Sequence, residues 1–278
     1  MEKCTRRVMN IPFWKMHGAG NDFILINAMQ STLEPTATTI AAWCHRRTGV
    51  GSDGLILLRP PQDGGHFQMR FFNPDGQPAA MCGNGARCAA RLAVELGIAP
   101  PKMKMETGAG LLSAEWLTDS QEVRLGLTSP KDGQLDGLLD LDDGTVVQYA
   151  FVDTGVPHTV IDVNDLEQTP VDALGKTIRH HARFAPAGTN VNFVHITGPH
   201  SLSIRTFERG VEAETLACGT GIAAAAVTAV RRGRVSSPVR ILTRGGDRLT
   251  VCVEGDRLTL TGPAVHAFTG TLDDPPDA

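Results

Sequence analysis

Residues 82–90 read Cys-Gly-Asn-Gly-Ala-Arg-Cys-Ala-Ala, and residues 218–226 read Cys-Gly-Thr-Gly-Ile-Ala-Ala-Ala-Ala. Both open with Cys-Gly-x-Gly and run into an alanine-rich stretch of helical character. Each follows a strand-like segment and a turn: MRFFNPDG at 69–76 before the first, IRTFERG at 204–210 before the second. The two segments lie 136 residues apart in a chain of 278, close to half its length. Self-similarity at that interval predicts two related domains, 1–128 carrying Cys82 and 129–265 carrying Cys218.

Outward from these segments the chain alternates short strands with few helices. Strands are expected at Phe13–His17 and Phe23–Asn27, around the turn 18–22. Others are expected at Leu55–Leu58 and at Phe67–Phe72, stopped by Asn73-Pro74-Asp75-Gly76. Lys102–Glu106, Leu111–Trp116 and Glu122–Leu127 read as a meander. The second half repeats the theme at Val146–Asp153, Thr159–Val163, Asn190–Ile196 and Leu202–Glu208. Three final strands are expected near Val239–Thr243, Arg248–Glu254 and Arg257–Gly262. Two long helices are predicted, Cys82–Leu96 stopped by Gly97 and Cys218–Arg232 stopped by Gly233, with a shorter one at Thr38–Arg47. The fold class is α+β with mostly antiparallel sheet.

Composition narrows the function. Hydrophobic residues make up 41% and charged residues 20%, as in ordinary globular chains, and 30 glycines imply many turns and close backbone approaches. No run approaches the roughly 18 apolar residues of a membrane helix, and the basic start lacks the apolar core of a signal peptide. The 26 basic residues are outnumbered by 30 acidic ones, so no nucleic-acid partner is expected. The six cysteines, Cys4, Cys44, Cys82, Cys88, Cys218 and Cys252, are irregularly spaced. Reduced thiols in a cytoplasmic protein fit them better than a disulfide framework, and no spacing supports a zinc site. No metal or cofactor is expected.

A cysteine at a helix N-terminus meets unpaired N–H groups and the positive end of the helix dipole, which favour its thiolate. The glycines beside it leave those N–H groups open to a carboxylate. Two such segments would place two sulfurs around one bound acid. That suits inversion of a stereocentre next to a carboxylate: a thiolate removes the α-proton from one face and a thiol returns one to the other. A lone cysteine is more often an inert core residue, and Cys4, Cys44, Cys88 and Cys252 are read that way. The repeated glycine context sets Cys82 and Cys218 apart. Gly49-x-Gly51-x-x-Gly54 matches a dinucleotide fingerprint in letters, yet it follows a helix and precedes a strand, the wrong order for that motif. Asn21, Asn73, Asn192, His158, Glu208 and Arg209 sit at strand ends or turns, where local backbone bonding would explain any one of them.

At these residues the sequence resembles the diaminopimelate epimerase family, over nearly its whole length. The resemblance rests on KMHGAGNDF at 15–23, GVGSDG at 49–54, FFNPDG at 71–76, MCGNGARC at 81–88, GVPH at 155–158, GTNVNF at 188–193, FERGVEAET at 207–215 and ACGTG at 217–221. It implies two pseudo-symmetric domains, each a barrel-like sheet around a central helix, with 266–278 returning to the first. It implies a cofactor-independent enzyme that interconverts LL- and meso-2,6-diaminopimelate in lysine and peptidoglycan precursor biosynthesis. Cys82 would be the proton donor and Cys218 the acceptor in the LL-to-meso direction. Gly83-Asn84 and Gly219-Thr220 would hold the reacting carboxylate, and Asn21, Asn73, Asn192, Glu208 and Arg209 would bind substrate. His158 and Glu208 would tune the thiols. Members are often dimeric, so a homodimer is the expected assembly. Two positions depart from the pattern: Val156 and Gly54 stand where many or some members carry Asn and Gln.

Val156 weakens distal recognition and motivates an alternative, a racemase of another amino acid such as histidine on the same scaffold. A non-catalytic amino-acid-binding protein is a further alternative, as is dithiol redox activity. Two activated thiols sharing one small site should oxidise to a disulfide. Oxidant is therefore expected to abolish turnover and dithiothreitol to restore it. Full activity with Cys82 and Cys218 linked, shown by peptide mapping, would count against the paired-thiol reading.

Overall fold

The computed structural model of the protein describes residues 10–273. Residues 1–9, with Cys4 and all but the last residue of the N-terminal extension 1–10, and the last five residues of the expected C-terminal return lie outside the described residues. The chain divides into two compact units. One runs up to Val123 and resumes at Pro263; the other is Arg124–Gly262.

In the first unit, strand β1 (Ile11–Gly18) turns through Ala19-Gly20 into antiparallel β2 (Asn21–Asn27). Gly20 carries the left-handed φ of 88° that this tight turn needs. Helix α1 (Ala37–Cys44), capped by the Thr36 hydroxyl, then crosses to β3 (Leu55–Arg59), which lies parallel to β2. Strand β4 (Phe67–Phe72) returns antiparallel to β3, and two-residue β5 (Pro78–Ala79) pairs beside it. Helix α2 (Gly83–Glu95) follows, then β6 (Lys102–Thr107) parallel to β4 and β7 (Gly110–Leu117) antiparallel to β6. Strand β8 (Glu122–Leu127) contains the division between the units. The C-terminal strand Val265–Leu272 closes this unit by pairing antiparallel with β1.

The second unit repeats the order. Strand β9 (Lys131–Asp140) pairs with β10 (Val146–Asp153), which turns into antiparallel β11 (Pro157–Asp162). Helix α3 (Val171–Arg179) crosses to β12 (Asn190–Gly198), parallel to β11. Strands β13 (Ser201–Glu208) and β14 (Ala213–Thr215) follow, each antiparallel to its predecessor. After helix α4 (Gly219–Arg231) come β15 (Val239–Leu242), parallel to β13, then antiparallel β16 (Arg248–Glu254) and β17 (Arg257–Pro263). The C-terminal strand is β18 (Val265–Leu272). The parallel pairs β2–β3 and β11–β12 therefore correspond, as do β4–β6 and β13–β15.

Each unit packs one helix on either face of its sheet. In the first, Ile40 and Trp43 of α1 join Phe13, Ile24, Ile26, Leu55 and Leu57 in one core cluster. The other face wraps α2, which touches β1, β2, β3, β4 and β7. In the second, Val171 and Ile178 of α3 pack with Tyr149, Ile161, Val191, Phe193 and Phe207. Helix α4 is enclosed by β10, β11, β12, β13, β15 and β16. Among the described residues, no helix is long and apolar enough to cross a membrane.

Besides pieces of two or three residues, three elements escaped the sequence reading. Helix α3 has a glycine at its centre, which lowers helix propensity. Gly175 is there because the Phe207 side chain lies where a Cβ would project. Strand β9 carries Gly133 and Gly137, and Gly137 leaves room for the Tyr149 ring of the neighbouring strand. Strand β18 is only weakly patterned, being exposed along much of its length. Helix α1 also ends three residues earlier than expected, because His45 adopts extended dihedrals (φ −66°, ψ 123°).

A methyl group at Gly175 would sit 2.5 Å from the Phe207 Cβ, too close to be relieved by a side-chain rotation. Gly175→Ala is expected to lower stability by about 1–3 kcal/mol despite its better helix propensity. Urea unfolding with an unchanged m-value would show this; a stabilised variant would contradict the packing.

Candidate active site

Cys82 and Cys218 occupy equivalent places. Each is the N-cap of a thirteen-residue helix in extended conformation, with φ −134° and ψ 120° at Cys82 and φ −118° and ψ 111° at Cys218. In neither case does the N-cap side chain cap the helix. The first intrahelical bonds run from Ala86 N–H to the Cys82 carbonyl (2.8 Å) and from Ile222 N–H to the Cys218 carbonyl (2.9 Å). The N–H groups before them belong to the orphan donors of a helix start. A Cβ at Gly83 would meet nothing within 4 Å, so the first turn of α2 is open to an incoming group. At Gly219 the nearest neighbour is the Leu260 side chain, at an ordinary contact distance of 3.8 Å.

The C-terminal ends match as well. Gly97 (φ 68°) and Gly233 (φ 67°) both reverse the chain in the left-handed region. Gly97 N–H bonds the Val94 carbonyl and Ile98 N–H the Ala93 carbonyl; Gly233 with Val230 and Arg234 with Ala229 do the same. This is the paired bonding of a Schellman motif, which uses up carbonyls that a helix end leaves unpaired.

Around Cys82, the predicted residues Asn21 and Asn84 are brought together. The Asn84 amide donates to the Asn21 side-chain oxygen at 2.7 Å and accepts from Arg87 Nη2 at 2.9 Å. Arg87 is fully buried, and its Nε donates to the Pro263 carbonyl at 3.1 Å. Asn21 in turn donates to Asp53 Oδ2 at 3.0 Å. Asp53 and Asp22 share Arg46, at 2.5 and 2.7 Å, and Asp22 also meets the buried Lys15 at 2.6 Å. Burial works against the Asp22 carboxylate, but Arg46 and Lys15 together outweigh it and hold the group at about 2. Lys15 also donates to the Gly51 carbonyl. Asn73 closes the turn after β4 through backbone bonds with Gly76 and Gln77. Its side-chain amide has no hydrogen-bond partner among the described residues.

The surroundings of Cys218 are more enclosed. Its Sγ lies 3.5 Å from the Thr220 hydroxyl. Burial pushes this thiol up to about 12, the nearby Glu208 carboxylate pushes the same way, and the Thr220 hydroxyl with the Gly221 and Thr220 N–H groups only partly offsets them. Burial at this helix start thus works against the thiolate that the helix N-terminus favours. Glu208, at the end of β13, accepts from the Thr215 hydroxyl at 2.9 Å, and burial raises its carboxyl. Cys88, on the inward side of α2, is likewise pushed to about 12 by burial. Thr154 Oγ1 donates to the Thr220 carbonyl at 2.9 Å and so steadies the first turn of α4.

His158 and Asn192 are fully buried. Asn192 Nδ2 lies 3.1 Å from the Thr159 carbonyl and 3.2 Å from His158 Nδ1, while its Oδ1 accepts from the Thr206 hydroxyl at 3.0 Å. Both Asn192 N–H groups and one lone pair of its oxygen are thus engaged inside the second unit. His158 Nε2 has no hydrogen-bond partner among the described residues. A buried orphan of this kind costs about 1–3 kcal/mol. Burial, reinforced by the Arg209 charge, lowers His158 to about 3, so the ring is neutral. Arg209 donates its backbone N–H to Asn190 Oδ1 at 2.9 Å and its Nη1 to the Ala187 carbonyl at 3.2 Å.

A model of the diaminopimelate epimerase family matches residues 13–131 and 150–267, most of the chain. The chain belongs to the diaminopimelate epimerase family. It is 42% identical to a diaminopimelate epimerase from Aquifex aeolicus, over 94% of this chain and 98% of that one. It is 46% identical to one from Chlorobaculum tepidum, over 92% and 99%. Among solved structures it resembles a hydroxyproline epimerase from Agrobacterium vitis (TM-score 0.70, 19% identity, 97% and 93% of the two chains). A Bacillus anthracis phenazine biosynthesis protein is similar (TM-score 0.69, 14% identity, 95% and 99%). These last two likenesses concern the fold alone.

Within this family pattern, Gly54 has a local cause. A Cβ there would lie 2.5 Å from the Phe72 carbonyl and 2.6 Å from the Phe71 ring, so this backbone admits no side chain. Val156 is half-buried in the turn after β10, with its carbonyl accepting from Thr154 N–H at 3.2 Å. Asn190 went unnoticed in the sequence although it neighbours Asn192 within one motif. It is buried, and it ties Arg209 to the Pro157 carbonyl (3.0 Å). Lys15, Arg46, Asp53 and Arg87 were also missed as members of the Asn21–Asn84 network. For Lys15, Asp53 and Arg87, positions within KMHGAGNDF, GVGSDG and CGNGARC were the available signal; Arg46 lies outside these motifs.

Burial and the Arg209 charge hold the folded His158 at about 3, against about 6.5 for an ordinary imidazole. Between those values the unfolded chain binds a proton that the folded protein does not, so stability rises with pH. The contribution is present above about 6.5 and is lost as pH falls from there towards 3. Urea midpoints measured from pH 7.5 down to 4 are expected to fall less steeply for His158→Gln than for the wild type. Equal slopes would show that His158 is not buried in neutral form.

Proposed function

We propose that the protein interconverts LL- and meso-2,6-diaminopimelate, within lysine biosynthesis, by passing the α-proton between Cys82 and Cys218. The observation that carries this reading is the duplicated cysteine N-cap. Each unit sets one sulfur at the uncapped start of a buried helix, beside glycines that leave the backbone donors uncovered. Family membership supports the substrate, and it gives no support to a racemase of another amino acid.

One sulfur must enter the reaction as thiolate and the other as thiol. The thiolate removes the α-proton, and the electron pair it leaves is delocalised into the carboxylate. N–H groups at Gly83-Asn84 and Gly219-Thr220 would stabilise the charge that builds there. The thiol then protonates the opposite face, and the two sulfurs have exchanged states. Burial and the Glu208 charge favour the thiol form of Cys218, the form that donates. For Cys218 to accept a proton in the LL-to-meso direction it must first lose its own, and Glu208 is the adjacent carboxylate able to take it. Asn84, held by Asn21 and Arg87, would orient the reacting carboxylate. Asn73, with its uncommitted amide, and Arg209 would contact the distal end, where a guanidinium can grip a carboxylate in bidentate fashion. A homodimer in the cytoplasm is the proposed setting.

Incubation with LL-diaminopimelate in deuterated water under reducing conditions should place deuterium at Cα and yield the meso form, as read by mass spectrometry. Cys82→Ala and Cys218→Ala should each lower turnover by at least roughly 10²-fold with circular dichroism unchanged. Absence of label from the reduced wild type, or undiminished turnover in either variant, would sink the proposal.

A further inference from the structure

The mechanism above leaves one buried group unexplained: His158, whose Nε2 has no partner although the ring is fully enclosed. The hydrogen bonds around Asn192 determine where its proton sits. The Thr159 backbone carbonyl can only accept, so the Asn192 atom 3.1 Å from it must be the amide nitrogen. That assignment leaves the amide oxygen facing Thr206 Oγ1 at 3.0 Å, where the hydroxyl donates. The second N–H of Asn192 then points at His158 Nδ1, 3.2 Å away. An amide nitrogen does not accept, so Nδ1 must present its lone pair, and the single proton of the neutral ring falls on Nε2.

We propose that Thr206 and Asn192 are positioning residues that lock His158 as its Nε2–H tautomer, a neutral hydrogen-bond donor set against the first turn of α4. The register supports this, because Asn192 faces Thr206 across the β12–β13 pair and His158 lies on the adjoining strand β11. Close packing holds the group in place. A Cβ on Gly221 would lie 2.4 Å from Asn192 Oδ1 and 3.4 Å from His158 Cε1, so the glycine of the Cys-Gly-x-Gly segment is what admits this arrangement. The ring carbon between the two nitrogens therefore abuts the turn that Cys218 caps. In that position an N–H donor serves an anionic acceptor, the carboxylate of a bound amino acid or a sulfur in its thiolate state. It does not serve as the base that ionises a thiol. The assignment to catalysis rests on the epimerase reading; the tautomer does not.

The test is 15N NMR of the ligand-free protein labelled at its nine histidines, with His158 assigned by its loss in His158→Gln. The expected spectrum shows a neutral ring at neutral pH, protonated at Nε2 and bare at Nδ1. Asn192→Asp replaces the donor with an acceptor and should move the proton to Nδ1, with kcat falling at least tenfold and KM changing less. Thr206→Val should blur the tautomer and lower kcat, and Thr206→Ser, which keeps the hydroxyl, should restore both. A wild-type ring protonated at Nδ1, or charged, overturns the proposal whether or not any variant folds. So does a folded Asn192→Asp variant that keeps the Nε2–H form. If the tautomer shifts with no change in turnover, the positioning role falls. If the wild type fails to turn over diaminopimelate while the Nε2–H signal stands, the epimerase reading fails and the tautomer survives.

Discussion

A helix that is buried on every side has only its ends to offer. Helices α2 and α4 are such helices, each enclosed by the strands of its own unit. Alanine dominates their sequences because strands must approach closely from several directions at once, and a larger side chain would hold them off. The C-terminal ends are sealed by the Gly97 and Gly233 turns. That leaves the N-termini, where Cys-Gly-x-Gly provides a sulfur, bare N–H groups and no side-chain cap. The rest of each unit follows from holding one helix in this way. The sheet wraps it, a second helix covers the outer face of the sheet, and turn residues gather near its start.

The same enclosure sets a conflict at Cys218. A helix N-terminus favours a thiolate, whereas removal from water disfavours one, and here the second effect is larger. The glycines that expose the backbone donors also allow β-strands to press close, so the two effects come from one structural choice. A buried thiol beside a buried carboxylate is a store for one proton. Whether the proton rests on Cys218 or Glu208 then depends on what charge enters the site, because each group raises the cost of ionising the other. A bound zwitterion can therefore alter protonation at this site through its own charges.

Much of this was legible in the sequence where one residue type carries one physical demand. The two Cys-Gly-x-Gly segments, the stops at Gly97 and Gly233, and the Asn73-Pro74-Asp75-Gly76 turn are of this kind. Helix α3 and strand β9 were not, because Gly175 and Gly137 contradict local propensity and are explained only by Phe207 and Tyr149, which contact them from distant parts of the chain. The site shows the same divide. Asn21 and Asn84 could be singled out from their motifs, but nothing local announces that Asp53 and Arg46 hold Asn21 in place. Asn190 and Asn192 lie two residues apart on one strand and share a motif. Only the surrounding strands decide that one restrains Arg209 and the other His158.

The two units apply a common plan with different chemistry. Beside α2, the first-turn residue Asn84 is held by charged groups: Arg87 directly, and Asp53, Asp22, Arg46 and Lys15 through Asn21. Beside α4, the equivalent position is Thr220, backed by the uncharged Thr154, His158, Asn192 and Thr206, with Glu208 and Arg209 as the ionisable groups nearby. A charged network is stiff and resists reorganisation, since breaking one partner strands a charge in a poorly solvated place. A neutral network of hydroxyl, amide and imidazole groups can be buried more deeply, since it carries no ion to desolvate. Glu208 is the exception behind α4: its buried carboxyl and the Cys218 thiol each raise the cost of ionising the other. The two helix starts thus differ in the polar groups that each sheet places behind them.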